Sequence, residues 1–559
     1  MSDERSERRE ARSVGKTEIA ADLACQPGPR NRLCRAAGAA APTGGSAVRE
    51  ATSVGAIPHQ QGPRNRLCRA AGAVAPSGGS AVREATSVGA IDPRTRLLLE
   101  APIGRTLLRL AAPNVVVMVA QASIGLIETY FVGKLGVDAL AGMALVFPVV
   151  MLMQMTSAGA MGGGIASSIA RALGAGRRQD ANALVLHAML IAIGFGLAFS
   201  LALLPGGRWL YAQMGGGGAS LQAALTYSHW VFGGAILVWL FNSLAAVIRG
   251  TGNMQVPANV TVAGVVLVVP LSPLLIFGWG PVPALGIAGG AIALLLYYLA
   301  GSLALAAYLC SSRSLLTPSI TKVKLRWHLF RDILRIGLMG SVSTVATNLS
   351  IGVATSLAGG FGPAAIAGYG TASRLEYLLV PLVFGLGAPL VAMVGTCMGA
   401  GQHARALRAA WIGAAMAFTL TEAIGLAAAA FPHAWLSLFG ADPAMLDAGT
   451  LYLRAVGPLY GFFGVGLVLY FASQGAGRLL WPVAGNIARL AVAAIGGWLA
   501  IRWYGGLAQV FMAQAVALVV YGIVIAAAIA GGAWYGRVGW PCRTSTLLKR
   551  IRPANLNLT

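Results

Sequence analysis

The sequence predicts an all-α membrane protein with twelve transmembrane helices, arranged as two parallel, pseudo-symmetric six-helix lobes around a central cleft. Hydrophobic residues make up 57% of the 559 positions and charged residues only 11%, with a mean hydropathy of +0.71, far from a soluble domain. Apolar stretches recur between residues 107 and 532, each long enough to cross a hydrocarbon core of roughly 30 Å. Short motifs within that part return at a nearly constant spacing, the mark of two similar halves.

The first 96 residues differ from the rest. The segment GPRNRLCRAAGAAAPTGGSAVREATSVGAI (28–57) returns as GPRNRLCRAAGAVAPSGGSAVREATSVGAI (62–91), changed only at Ala40/Val74 and Thr43/Ser77. It is rich in Gly, Ala, Arg and Ser and poor in large apolar residues, so it lacks the surface to bury and reads as a disordered extension. It has no apolar core of a secretory signal. VGKT at 14–17 echoes a phosphate loop, but Glu10 stands where the first glycine is needed.

Twelve apolar helices follow, beginning near 107, 140, 183, 224, 256, 285, 332, 364, 409, 448, 482 and 508. The loops between them alternate in charge. One side holds Arg171, Arg177 and Arg178, then Arg249, then Arg313, Lys322, Lys324, Arg326 and Arg331, then Arg405, Arg408 and Arg478, and a basic tail (536–559) from Arg537. The other side holds Lys134, Arg208 and Arg502 against Asp138, Asp442 and Asp447. The positive-inside rule then places both termini in the cytoplasm and makes the formal charge of +23 a matter of topology. No nucleic-acid partner is needed to explain it.

The motifs LGAGRRQDA (173–181) and MGAGQHARA (398–406) lie 225 residues apart, as do RGTGNMQVP (249–257) and QGAGRLLWP (474–482). DALAG (138–142) and AAIAG (364–368) follow at 226. Six spans per half is an even number, so the halves share one orientation and are related by an axis along the membrane normal. The expected lobes are residues 97–321 and 322–535, joined by the basic connection around 311–331.

No nucleotide-binding loop, HExxH, nucleophile elbow or Cys/His cluster is present, so neither an enzyme nor an ATP-driven pump is expected. The six cysteines have no CxxC spacing and imply neither a metal nor a disulfide framework. No cofactor is expected, and a secondary transporter remains. Glu128, deep in the first apolar helix, is the outstanding residue, because intramembrane acids are paired, neutralised or functional. Gln121 and Asn242 are the candidate structural partners for it. A Met151–Met153–Met155 stripe with Gln154 suits either an adaptable cavity wall or packing. Tyr130, Tyr377, Tyr460 and Phe463 offer cation–π surface or interfacial anchors. Glu376 is expected either to line the cavity or to pair with Arg489, and Glu422 to snorkel or serve packing.

The segment LLRLAAPNVVVMVAQASIGLIETYFVGKLGVDALAGMALVFP, the two GAG loops, IRGTGNMQVP and SRLEYLLVPLVFGLGAPLVAMVGTCMGAGQ resemble, in order and spacing, the multidrug and toxic compound extrusion (MATE) family. The resemblance runs from about residue 105 to 532. It implies a two-lobe antiporter of the bacterial inner membrane, exporting cationic or amphiphilic compounds on a sodium or proton gradient. It also implies Glu128 at the position of a helix-1 acid and Pro113 at that of a hinge proline. In many members an asparagine, an aspartate and a threonine complete a cation site. Those positions here are Val268, Ser272 and Leu294. Sodium wants several hard oxygen ligands, so the degenerate set favours a proton carried on Glu128. Gln121, Tyr130, Gln154, Met155, Glu376, Tyr377 and Tyr460 are the candidate cavity residues, and a monomer is expected. A lipid-linked saccharide flippase would want a more cationic cavity than Arg374, Arg454 and Arg489 supply, whereas a non-transporting receptor would explain the missing helix-5 acid.

Overall fold

The structure, a computed structural model, describes residues 92–278, 283–317 and 325–535. The N-terminal repeats, Lys322, Lys324, the basic tail and Cys25, Cys34, Cys68 and Cys542 lie outside the described residues. A short helix, Pro93–Glu100, opens the described chain. Asp92 caps it by accepting from the Arg94 N–H at 2.8 Å, with Pro93 in the first turn, where its missing N–H costs nothing.

Among the described residues, eleven spans and one bent pair follow, in the places the apolar pattern indicates. The first half comprises α1 Ile103–Gly133, α2 Val137–Gly174, α3 Arg178–Gln213, α4 Gly218–Gly233 plus Ala235–Gly250, α5 Gln255–Phe277 and α6 Ile287–Cys310. The second comprises α7 Trp327–Gly359, α8 Pro363–Gly399, α9 His403–Ala430, α10 Pro443–Ala476, α11 Leu480–Tyr504 and α12 Leu507–Ala530. The 47° bend in α4 falls at Gly233–Gly234, the adjacent glycines at which a helix yields most cheaply. Short π-helical turns interrupt α2 at Met155–Met161 and α11 at Val492–Gly496.

The repeat seen in the sequence is present in the backbone. Gly176 and Gly401 close the two GAG loops at φ +72° and +73°, and Gly252 and Gly477 close the next pair at +82° and +72°. A residue with a Cβ would be strained at each of these positions, so the glycine recurs with the turn.

Two large apolar cores follow the two halves, with one exchange. Ile124 and Val132 of α1 belong to the first core, whereas Leu107 and Ala111, earlier on the same helix, belong to the second. Helix α7 does the reverse, with Ile333 in the first core and Ala354 and Ala358 in the second.

The halves meet at the end carrying the basic loops. A methyl group on Gly174 would fall 2.1 Å from the Thr396 carbonyl oxygen, and one on its repeat mate Gly399 would fall 2.1 Å from that of Arg171. Only glycine permits α2 and α8 this approach. Arg171 adds an ion pair with Asp332 at 2.7 Å and a bond to the Gly475 carbonyl at 3.3 Å. Near mid-span, Pro389 lacks the N–H that would bond the Gly385 carbonyl, and the Asn114 amide reaches across from α1 to it at 3.4 Å. Among the described residues, every hydrogen bond between the first six and last six spans lies in the half of the helices nearer the basic loops.

Candidate functional site

Glu128 sits one turn before the end of α1, between the buried side chains of Ile124 and Val132, and is 6% exposed. Gly290 of α6 faces it: a Cβ there would make ordinary contacts, 3.4 Å from Glu128 Oε1 and 3.6 Å from Ile276 Cδ1. Its hydrogen-bond partner is Tyr227 of α4, whose hydroxyl donates to Oε1 at 2.7 Å. No cation pairs with it among the described residues. Helix periodicity puts Ser272 and Val268 one and two turns from Ile276, and Leu294 one turn from Gly290. All three are buried, and the Ser272 hydroxyl has no partner. The carboxyl group therefore has the Tyr227 phenol as its hydrogen-bond partner and a second phenol, Tyr298, within electrostatic reach.

Neither partner anticipated for Glu128 is the one observed. Asn242 spends its amide on Gln154 Oε1 at 3.0 Å and Ser157 Oγ at 2.8 Å. Gln154 in turn donates to the Tyr298 hydroxyl, so it belongs to a polar network inside the first half. Gln121 is half-buried on α1, two turns before Glu128. Met153 is fully buried, and Met151 and Met155 are half-buried at the entry to the π-helical turn. Pro113 lies within the continuous helix α1.

The second half holds a counterpart. Tyr452 stands 225 residues after Tyr227 and donates its hydroxyl to Glu376 of α8. Here a cation is present: Arg489 Nη2 lies 3.6 Å from Glu376 Oε2, with its guanidinium 5.3 Å from the ring of Phe463 and 5.8 Å from that of Tyr521. Tyr377 is half exposed and Tyr460 fully buried, while exposed Tyr130 carries Lys134 over its ring at 4.6 Å. Glu422 accepts from the Gly461 N–H at 2.7 Å, just after the 3₁₀ turn Gly457–Leu459 that interrupts α10. This donor lacks a helical partner because Pro458 and its neighbours break the ladder, so Glu422 is structural. Single-residue reasoning passed over Tyr227 and Tyr452. Their common register in the two halves is the signal that finds them.

The sequence profile of MatE matches residues 113–274 and again 341–499, once in each half. The chain belongs to the MatE family. MATE proteins are secondary transporters rather than enzymes, and each match falls within one six-helix half. Similar proteins include the FAD transporter of Shewanella oneidensis, 28% identical over 70% of this chain and 87% of its own. The probable multidrug resistance protein NorM of Thermotoga maritima is 24% identical over 69% and 82%. Among solved structures, a MOP superfamily transporter from Pyrococcus furiosus superposes with a TM-score of 0.72 at 23% identity, covering 78% of this chain and 97% of that one. An outward-facing MATE family transporter gives 0.71 at 23% identity with the same coverage. At that identity the structures establish the two-lobed MATE fold alone.

Proposed function

We propose that this MATE protein is a proton-driven exporter of small cationic or amphiphilic molecules in which Glu128 carries the proton. The observation that supports it is the site itself: a buried carboxyl group with a phenol as partner, no cation, and Val268 and Leu294 where further oxygen ligands would be needed to hold sodium. An ionised carboxylate costs several kcal/mol in such surroundings, a cost removed when it takes up a proton. Taking the basic loops as cytoplasmic, the contact of the halves at that end makes this the state open to the outside, with residues 97–321 and 322–535 rocking as lobes. Protonation from outside neutralises Glu128, lets α1 repack about Pro113 and favours release. Loss of the proton toward the cytoplasm restores a charge that attracts a cationic substrate. Proton and substrate are then coupled by competing for one site or one conformation.

The protein belongs in the bacterial inner membrane as a monomer with both termini in the cytoplasm. The similarity to an FAD transporter adds flavin nucleotides to the candidate substrates. Ethidium efflux, measured with the pH and sodium gradients collapsed separately, tests the reading. Efflux should stop with the pH gradient and persist without sodium; dependence on sodium alone would overturn it.

A further inference from the structure

Arg249, at the end of α4, is the one strongly buried arginine the proton mechanism does not use and the contacts do not satisfy. It is 8% exposed, and among the described residues neither an ion pair nor a side-chain hydrogen bond reaches its guanidinium. It lines a cavity between the two halves, together with Gly159, Gly162, Gly163 and Gln474, and no acid lines that cavity. Gly163 makes room for Gln474, because a Cβ there would collide with its amide at 2.0 Å, and Gly162 faces Arg249, where a Cβ would stand 3.8 Å from Nη2.

Gln474 holds the same place in the second half that Arg249 holds in the first, 225 residues on. It is fully buried, and its Nε2 donates to the Gly159 and Ala160 carbonyls of the π-helical turn, both at 3.2 Å. Its Oε1 has no partner. The cavity thus presents a charged donor fork from one lobe and an idle acceptor from the other. Water satisfies the hydrogen bonds of such a pair but not the charge, and a buried unpaired guanidinium calls for an anion.

We propose that Arg249 and Gln474 form a binding site for the phosphoryl group of an anionic ligand, reached when the lobes part at the basic-loop end. Arg249 takes two oxyanion oxygens in its planar fork, and Gln474 Oε1 takes a hydroxyl of the ligand or of a bridging water. An anionic headgroup of the substrate and the phosphodiester of a lipid share this chemistry. The site extends the substrate class of the exporter beyond cations, and its place on an export route rests on the transporter reading. Its occupancy does not: binding is measured without a gradient, so a failed binding result and a failed transport result are separate.

The test is binding of 1-naphthyl phosphate and of 1-naphthol to the full chain in dodecyl maltoside micelles. The wild type should prefer the phosphate by about tenfold or more, the scale of hydrogen bonds to a charged group. Arg249→Gln should erase that preference and raise the Tm, because it removes a buried unpaired charge. Gln474→Glu places a carboxylate across from Arg249 and should also erase the preference in a folded protein. In phosphatidylglycerol vesicles, loss of the wild-type preference identifies lipid as the occupant, and its retention identifies a soluble anion. The site is overturned if the wild type binds both compounds alike in micelles, or if Arg249→Gln lowers the Tm and keeps the preference.

Discussion

Each half of this MATE protein sets a glutamate against a tyrosine at the same repeat position, Glu128 on Tyr227 and Glu376 on Tyr452. The tyrosines are related by the repeat, but the acids are not: one comes from α1 and the other from α8. Their electrostatics differ as well. Glu376 has Arg489 at 3.6 Å, itself held between two aromatic rings. Glu128 has its phenol and, among the described residues, no cation. A paired carboxylate fixes the packing around it, whereas an unpaired buried one carries a desolvation cost that no neighbouring cation offsets. Under the proton mechanism proposed above, the comparison leads us to expect a structural role for the pair in the second half and coupling at Glu128 in the first.

The largest effect falls on Glu128. Glu128→Gln mimics the protonated form and should abolish gradient-driven dye efflux while the protein still inserts and folds, and Glu128→Asp should retain part of the activity. Normal efflux from the Gln variant would erase the distinction between the halves.

In the second half the expected loss is of stability. Arg489→Met strands Glu376 without its cation and should cost ~3–5 kcal/mol, read as a large fall in Tm in micelles. Adding Glu376→Gln should recover most of it, because the pair is then removed together. A single variant as stable as the wild type would mean that Glu376 is not held by Arg489.

The tyrosines sharpen the same contrast at smaller scale. Tyr452→Phe should lower stability by about 1.5–3 kcal/mol, as for a hydrogen bond to a charged group, and leave residual efflux in proportion to folded protein. Tyr227→Phe should reduce the efflux rate several-fold at equal amounts of folded protein. The same outcome in both halves would argue that the two pairs do one job. The smallest effect is expected from the near-identical N-terminal repeats: deleting residues 1–90 should leave insertion and efflux close to wild type, and loss of either would give that segment a function.

The helices were legible because lipid demands long apolar runs, and span starts inferred from hydropathy fall within a few residues of Ile103, Val137, Pro363 and Leu507. The repeat was legible because its turns need glycine at φ > 0, and Gly176 and Gly401 keep both residue and angle. Glu128 stood out because charge is rare in such runs. Its partner was hidden because a tyrosine in an apolar helix looks like packing, and the hydroxyl's target depends on how α4 crosses α1. Asn242 looked like the better partner by chemistry, yet the fold turns it toward Gln154 and Ser157. The crossing of α1 and α7 between the two cores was equally hidden, because composition does not tell which neighbour covers which half of a helix.

The most direct test of the central claim is proton release on substrate binding, measured with purified protein in weakly buffered micelles. If substrate and proton compete at Glu128, adding ethidium to the wild type should release about one proton per molecule bound, with no effect of sodium. Glu128→Gln should bind without releasing any. Equal release by that variant, or release of sodium in place of protons by the wild type, would contradict the account.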